Sequence, residues 1–458
     1  MAWAKQYKLA SGKKQYRGEW RRGDGTIDGK AGFTTRKAAL TYAVQQEHEA
    51  KNNPHHNPRK GKAVFRDVAD EWLDSRRDLK DTTAAAYREA LAPTTEATAK
   101  RHKALRDLRI DTVFGGYPVN AITREQISQW VGRMQKAGKS PSATRNAYFL
   151  VRQVLGHAVA DGRIDANPAD YVKLPTAHNT GTGGAVDDPS QFLDAEQVAA
   201  LVDATPWPYN VLVNTAAWSG LRAGELAGLQ VADLELPAAR NRPGALRVER
   251  TVARIGRELH YVTPKTKGSR RRVPLPPDAT ELLRDYLAER KRRNEPTDPT
   301  APLFPACGLS TPPPSTSAKK AAPAKARADR QALALAALTV EDAENRLELD
   351  WSSVLRHGTF YKAVFRPAVL RANADGADLS PALHFHGLRH TYASLSVAAG
   401  IPAEKLSRRM GHAKIGTTLG IYVHLFPDDD AAEDMAALGA MARKARPTAG
   451  GHVIRLAR

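Results

Sequence analysis

Four separated segments carry polar residues whose types and spacing could handle a phosphate. In Ser219-Gly220-Leu221-Arg222-Ala223-Gly224-Glu225-Leu226, glycine punctuation sets Arg222 near a helix start, and Glu225 follows three residues later on the same face. In Leu383-His384-Phe385-His386-Gly387-Leu388-Arg389-His390, spacing of i, i+3 and i+4 puts His386, Arg389 and His390 on one helical face, where two could converge on one phosphate. Two histidines at i, i+4 could instead bind a metal, but no carboxylate or third ligand stands nearby. The stretch Arg409-Met410-Gly411-His412 through Thr417-Thr418-Leu419-Gly420-Ile421-Tyr422 joins a turn carrying His412 to a short helix carrying Tyr422. The fourth segment is a basic turn, Pro264-Lys265-Thr266-Lys267-Gly268-Ser269-Arg270-Arg271-Arg272. Singly, each has a bland reading: a surface ion pair, a packed tyrosine, a solvated basic loop.

The elements that must position these residues fall into several parts. At 458 residues, the chain is long enough for two or three domains. Residues 1–60 read as a basic β-rich unit followed by a helix. Strands at Tyr7–Leu9 and Gln15–Trp20 flank the turn Ser11-Gly12-Lys13-Lys14, Gly29–Phe33 adds a third, and Thr34 caps a helix over 36–50. Its Lys13, Lys14, Arg17, Arg21 and Arg22 suit a β-ribbon entering a DNA major groove. Residues 51–62, rich in Asn, Pro, His and Lys, read as a linker.

Residues 64–175 read as an all-helical domain. Thr123 and Gln126 have capping-box spacing, Ser140-Pro141 opens another helix, and Phe149, Val151, Val154, Leu155 and Val159 form a core-facing stripe. A second linker ends near residue 190, where Asp194 and Gln197 open a helix with capping-box spacing. Residues 190–445 mix helices with a β-rich island at Leu246–Ala253, Glu258–Val262 and Arg272–Leu275. Residues 305–345 interrupt that domain with Pro312-Pro313-Pro314 and Lys- and Ala-rich sequence, with a helix over 330–338; this composition predicts a surface excursion. The fold class is therefore multidomain and mainly α with small β-sheets. A basic tail, residues 446–458, follows.

Composition narrows the partner. The net charge is +20 and the pI near 9.9, which favours a polyanion through counterion release. Residues 1–62 alone hold 14 Lys and Arg against 5 Asp and Glu. No apolar run of transmembrane length occurs, and the first ten residues lack a signal peptide's apolar stretch, so we expect a cytoplasmic, nucleoid-associated protein and no membrane partner. The single cysteine, Cys307, excludes an internal disulfide and any multi-cysteine metal site.

Taken together, the motif residues resemble the tyrosine recombinase, or phage integrase, family typified by lambda integrase: Arg, Lys in a β-turn, His-x-x-Arg, Gly-His, and Tyr ten residues after that His. The flanks Gly220–Leu226, Leu388-Arg389-His390-Thr391 and Tyr422-Val423-His424-Leu425-Phe426-Pro427 match too. The resemblance covers residues 64–430 and, more weakly, the amino-terminal unit, which is similar to arm-site-binding domains. It implies an enzyme that cleaves and rejoins double-stranded DNA at attachment sites through a 3′-phosphotyrosine, integrating or excising a mobile element.

By the same resemblance, Tyr422 is the nucleophile, Arg222 and Arg389 clamp non-bridging oxygens, and His386 acts as acid and base on the tyrosine side. His412 bonds a phosphate oxygen, and Lys265, with Lys267 as the alternative, protonates the departing 5′-oxygen. Glu225 and His390 support, while Arg270 and Arg271 join the DNA-facing set. The family implies no metal or other cofactor, a homotetramer on DNA, an excision or directionality factor and a host DNA-bending protein. It also suggests that Asp428–Arg443, with Met435, Leu438 and Met441 at helix spacing, docks on a neighbouring protomer. A type IB topoisomerase and a non-catalytic DNA-binding regulator are the rival readings.

Overall fold

The computed structural model describes residues 2–21, 25–52, 60–93, 107–175, 191–256, 258–263, 267–310 and 324–422. Arg22, Lys265, the segment 428–443 and the tail lie outside them, as does the side chain of Lys267. The chain is mainly helical with small antiparallel sheets, and it divides into two units: Met1–His178 with Arg254–Glu258, and Asn179–Ala253 with Leu259–Arg458.

In the first unit, strands β1 (Trp3–Lys8), β2 (Lys14–Arg21) and β3 (Ile27–Phe33) form a sheet in sequence order. Helix α1 (Arg36–Asn52) lies so close that a Cβ on Gly18 would meet the Ala39 carbonyl oxygen at 2.3 Å. Trp20, from the same side, meets the Tyr42 ring at 5.8 Å. Strand alternation therefore turns Arg17, Glu19 and Arg21 to the opposite face. There Glu19 accepts from the Trp3 indole at 2.7 Å and pairs with Lys5 at 3.1 Å and Arg17 at 3.4 Å. The cap on α1 is one residue later than expected: the Thr35 hydroxyl accepts from the Ala38 N–H at 3.2 Å.

The helical part of this unit has its own core, with Phe65, Phe114, Trp130, Val151, Val154 and Leu155 at its centre. Helices α2 (Phe65–Ser75), α3 (Asp81–Leu91), α4 (Arg124–Lys136) and α5 (Pro141–Ala160) supply most of it. The Thr123–Gln126 capping box and the Ser140 cap both form. Phe149, read as a core residue, is 42% exposed instead. Glu71, His157 and Asp161 converge nearby, but Arg163 pairs with both carboxylates, so a guanidinium already neutralises them.

In the second unit, α6 (Ala195–Asp203), opened by the Asp194–Gln197 box, packs on α7 (Tyr209–Ser219), followed by the short α8 (Ala223–Ala227). The β-island divides. Strands β4 (Leu234–Glu235), β5 (Ala245–Val248) and β8 (Arg271–Pro274) make one sheet, while β6 (Thr251–Ile255) and β7 (Glu258–Val262), whose residues Arg254–Glu258 count with the first unit, make another. Thus the single strand expected over 246–253 is two, split where Arg250 pairs with the buried Asp233. Helix α9 (Pro277–Arg292) follows.

The segment 305–345 is not simply a surface excursion. Strand β9 (Pro305–Leu309) pairs with β10 (Leu347–Val354), and α10 (Ala324–Ala336) buries Ala332 and Leu335. After α11 (Val340–Asn345) and helical turns from His357, α12 (Arg366–Ala374) packs on α10. Its buried Arg371 donates to the carbonyls of Leu335 at 2.9 Å and Leu338 at 2.8 Å, which satisfies the end of α10. Residues 311–323, including the three prolines, lie outside the described set. Three helices complete the unit: α13 (Gly387–Ala398), α14 (Ala403–Met410) and α15 (Ile415–Tyr422).

Candidate active site

The site is assembled where α8, α13 and the turn after α14 meet β8. Gly220 ends α7 with φ +62°, and a Cβ there would strike the Tyr392 ring at 2.3 Å, so glycine lets the chain turn tightly against α13. Arg222 then caps α8, and Glu225 binds back to it: its Oε2 accepts from the Arg222 N–H at 2.8 Å and its Oε1 from the guanidinium at 3.0 Å.

Arg389 projects from the first turn of α13 and is 3% exposed. Its guanidinium donates to the carbonyls of Gly220 and, at 2.8 Å, Met410, and to Nε2 of His412 at 2.9 Å. Arg222 donates to the adjacent Gly411 carbonyl at 3.3 Å. The two guanidiniums thus reach neighbouring peptide units of one turn. An arginine only donates, so Nε2 of His412 must accept from Arg389; Nδ1, 2.7 Å from the Thr418 hydroxyl, therefore carries the hydrogen. His412 is neutral in this arrangement.

On the other side of α13, Nδ1 of His390 is 2.8 Å from the Tyr422 hydroxyl. Tyr422 is 1% exposed and packs with Tyr392, Ala393, Val397, Leu406 and Met410 in a cluster separate from the main core. His386 stands at the start of α13 with its ring edge-on to His390, centroids 5.0 Å apart. Two arginines, three histidines and the tyrosine therefore share one locality.

Comparison with known proteins fits this arrangement. Residues 191–428, just over half of the chain, match the phage integrase family. The chain belongs to that family. It is 27% identical over 357 residues to the putative prophage phiRv2 integrase of Mycobacterium tuberculosis, covering 78% of this chain and 73% of that one. To the integrase of Mycobacterium phage FRAT1 it is 30% identical over 249 residues, covering 50% and 70%. Among solved structures, the Tn1549 transposon integrase in complex with transposon right end DNA superposes with a TM-score of 0.51 at 18% identity, covering 83% of this chain and all of that one, a likeness of fold. The protein is a tyrosine site-specific recombinase, which cleaves and rejoins DNA through a 3′-phosphotyrosine.

The electrostatics of the recombinase site are those of a cationic pocket kept partly dry. Burial, then the neighbouring arginines, push His412 down to about 4. His390 is also pushed down to about 4, by burial and then by His386, His384 and Arg389. For His386 the same value follows from desolvation of its ring, then Arg389, His384 and Arg222; yet this residue is the exposed one, so water screens it most. Burial and Arg222 lower Arg389 to about 9, which leaves it charged at neutral pH. The Tyr422 phenol is pushed up to about 12 by burial, against the pull of Arg389 and Arg222.

One expectation changes. Arg271, grouped with DNA-facing residues, is instead buried, with its side chain 6% exposed. It forks onto both Glu225 oxygens at 2.9 and 3.0 Å and donates to the Arg409 carbonyl at 2.6 Å. Burial alone would raise the Glu225 carboxyl, but this fork, the Arg222 N–H and the Arg222 charge hold it below its ordinary value. Gly411 allows the close approach: its φ is +67°, and a Cβ there would meet the Arg271 guanidinium at 2.8 Å. Arg271 thereby ties the Arg222 segment to the turn that carries His412. The signal was strand parity, since Val273, two residues on, is buried and shares its face. Thr418, which orients His412 and is itself buried, had no such signal.

Arg270 remains exposed at 56% and Lys13, Lys14, Arg17 and Arg21 are also at the surface. Lys265 and the Lys267 side chain fall outside the described residues. Among the described residues, no helix is long and apolar enough to cross a membrane.

Proposed function

We propose that Tyr422 is the nucleophile of this recombinase and that Arg222 and Arg389 clamp the non-bridging oxygens of the scissile phosphate. The observation that carries the reading is the convergence of both guanidiniums on the 410–412 turn, with Tyr422 held by the residue next to Arg389. A clamp of planar cations stabilises the charge that grows on phosphate in the transition state. His412 joins it by giving up its contact with Arg389 and donating to a phosphate oxygen, which requires a proton on Nε2. Lys265 protonates the 5′-oxygen, with Lys267 as the alternative from the same turn. Family resemblance assigns the tyrosine-side proton to His386.

We further propose that the β1–β3 unit is an arm-type DNA-binding domain, that residues 64–175 bind the core site, and that the second unit is catalytic. The open sheet face with Lys5, Arg17 and Arg21 supports the first assignment, together with Lys13 in the adjoining turn and Lys14 at the start of β2. A homotetramer on two attachment sites, aided by a directionality factor and a host bending protein, completes the proposal; Tn1549 integrase is itself described on its transposon end. A half-site suicide substrate tests the centre of it. Wild-type protein should trap a covalent adduct, Tyr422→Phe should give none, and strand exchange between two sites should separate recombination from simple relaxation. An adduct that persists in Tyr422→Phe removes Tyr422 from the role.

A further inference from the structure

The buried face of α15 is fastened to the site at two points one helical turn apart. Thr418 and Tyr422, at i and i+4, share that face and are 0% and 1% exposed. Tyr422 meets His390, whereas the Thr418 hydroxyl lies 2.7 Å from Nδ1 of His412. The other ring nitrogen of His412 faces Arg389 at 2.9 Å. A single imidazole therefore joins the phosphate clamp to the helix that carries the tyrosine. We infer that Thr418 is the positioning residue that aims His412 at the scissile phosphate, through a hydroxyl bond that reverses direction when DNA binds. The inference rests on His412 donating to a phosphate oxygen.

The reversal follows from which atoms can donate. At rest Arg389 donates to Nε2, so Nδ1 carries the hydrogen and the Thr418 oxygen accepts it. Donation to phosphate needs the hydrogen on Nε2, and Nδ1 then turns a lone pair toward Thr418. A hydroxyl serves both states by rotating about its C–O bond, which a group that only donates or only accepts cannot do. Protons balance through solvent: Nε2 takes one from water as the phosphate draws Arg389 away, and Nδ1 then releases one to water. Arg389, Arg222 and Arg271 around the ring disfavour a lasting imidazolium, with Glu225 acting against them. His412 thus stays neutral and keeps its orientation while it exchanges one partner for another.

The test is a double-mutant cycle on single-turnover cleavage of a half-site suicide substrate by the full-length protein, with non-covalent DNA binding measured in parallel. Thr418→Val keeps the shape of the side chain but neither donates nor accepts. It should bind DNA within about threefold of wild type and cleave roughly tenfold more slowly. Thr418→Ser should bring cleavage back to within about threefold of wild type. His412→Ala should be about 100-fold slower, and adding Thr418→Val to it should cost less than about twofold more, because the hydroxyl has no ring left to aim. Wild-type cleavage by Thr418→Val, equal slowing by Thr418→Ser, or an undiminished Thr418→Val loss in the His412→Ala background would each overturn the inference. Should Thr418→Val fold poorly, ring nitrogen NMR shifts of His412 in Tyr422→Phe protein, assigned against His412→Asn, decide the matter. They should place the hydrogen on Nδ1 without DNA and on Nε2 with the uncleaved half-site bound; a hydrogen that stays on Nδ1 overturns the reversal. A His412→Ala protein that cleaves like wild type would instead remove the phosphate role of His412 on which the inference rests.

Discussion

The two halves of the candidate site are built differently. Arg389, Arg222, Glu225 and Arg271 are fixed by a mesh of short hydrogen bonds to each other and to the carbonyls of Gly220, Arg409, Met410 and Gly411. The tyrosine half is an eight-residue helix seated on a small cluster, with Ile415 and Leu419 exposed at 46% and 38%. A charge clamp must be ready before phosphate arrives, because reorganising dipoles during reaction forfeits the stabilisation they provide. A nucleophile that acts once per strand exchange gains from being lightly held, since it has to leave its resting contact to reach phosphorus.

The sharpest way to break this contrast is to weaken the clamp. Arg389→Lys keeps the charge but loses the fork, and suicide-substrate cleavage should fall about 100-fold or more; a loss under about threefold would show that the mesh is not what stabilises the reaction. Next in size, Arg271→Met removes the fork from the buried Glu225 and leaves it Arg222 alone, and chemical denaturation should show a loss of about 2 kcal/mol. The double variant Arg271→Met, Glu225→Met should recover much of that stability while cleavage stays impaired.

A smaller effect follows from protons. His390 and His412 are pushed down to about 4, below the ordinary value near 6.5 that they regain on unfolding. The unfolded chain then binds more protons, so stability is full above pH 6.5 and declines as pH falls toward 4. Because both rings are half-buried and water screens them, each histidine contributes roughly 1 kcal/mol of that decline, about half of what the full shift would give, read by denaturation at pH 7 and pH 5. Smallest of all, Tyr422→Phe removes one hydrogen bond from the tyrosine half and should cost about 1 kcal/mol or less. A cost as large as that of Arg271→Met would erase the contrast.

Much of this site was legible because its parts lie in short motifs with local structure: the turn at Gly220, the helix start that carries His386, Arg389 and His390, the short helix ending at Tyr422; the single face expected for those three is divided, with Arg389 toward the 410–412 turn and His390 toward Tyr422. The caps at Ser140 and Asp194 were legible for the same reason, as each depends on residues three apart. Tertiary partnership was harder to read. Arg271 looked like one more cation in a basic run because its partner, Glu225, is 46 residues away, and only the parity with Val273 hinted at burial. Phe149 fitted a helical stripe yet falls outside the angle that the neighbouring helices cover. In 305–345, low-complexity composition concealed a strand whose partner begins at Leu347, and the helix expected over 330–338 starts earlier, at Ala324, with its end satisfied by Arg371.

The one-sided covering of the amino-terminal sheet carries a practical corollary. Since α1 rests on the Gly18 side, exchanging Lys5, Arg17 or Arg21 on the reverse leaves the helix contact intact. Variant libraries confined to those positions, with Glu19 varied alongside Lys5 and Arg17 because it pairs with both, would test the proposed arm-type role through a change in DNA sequence preference.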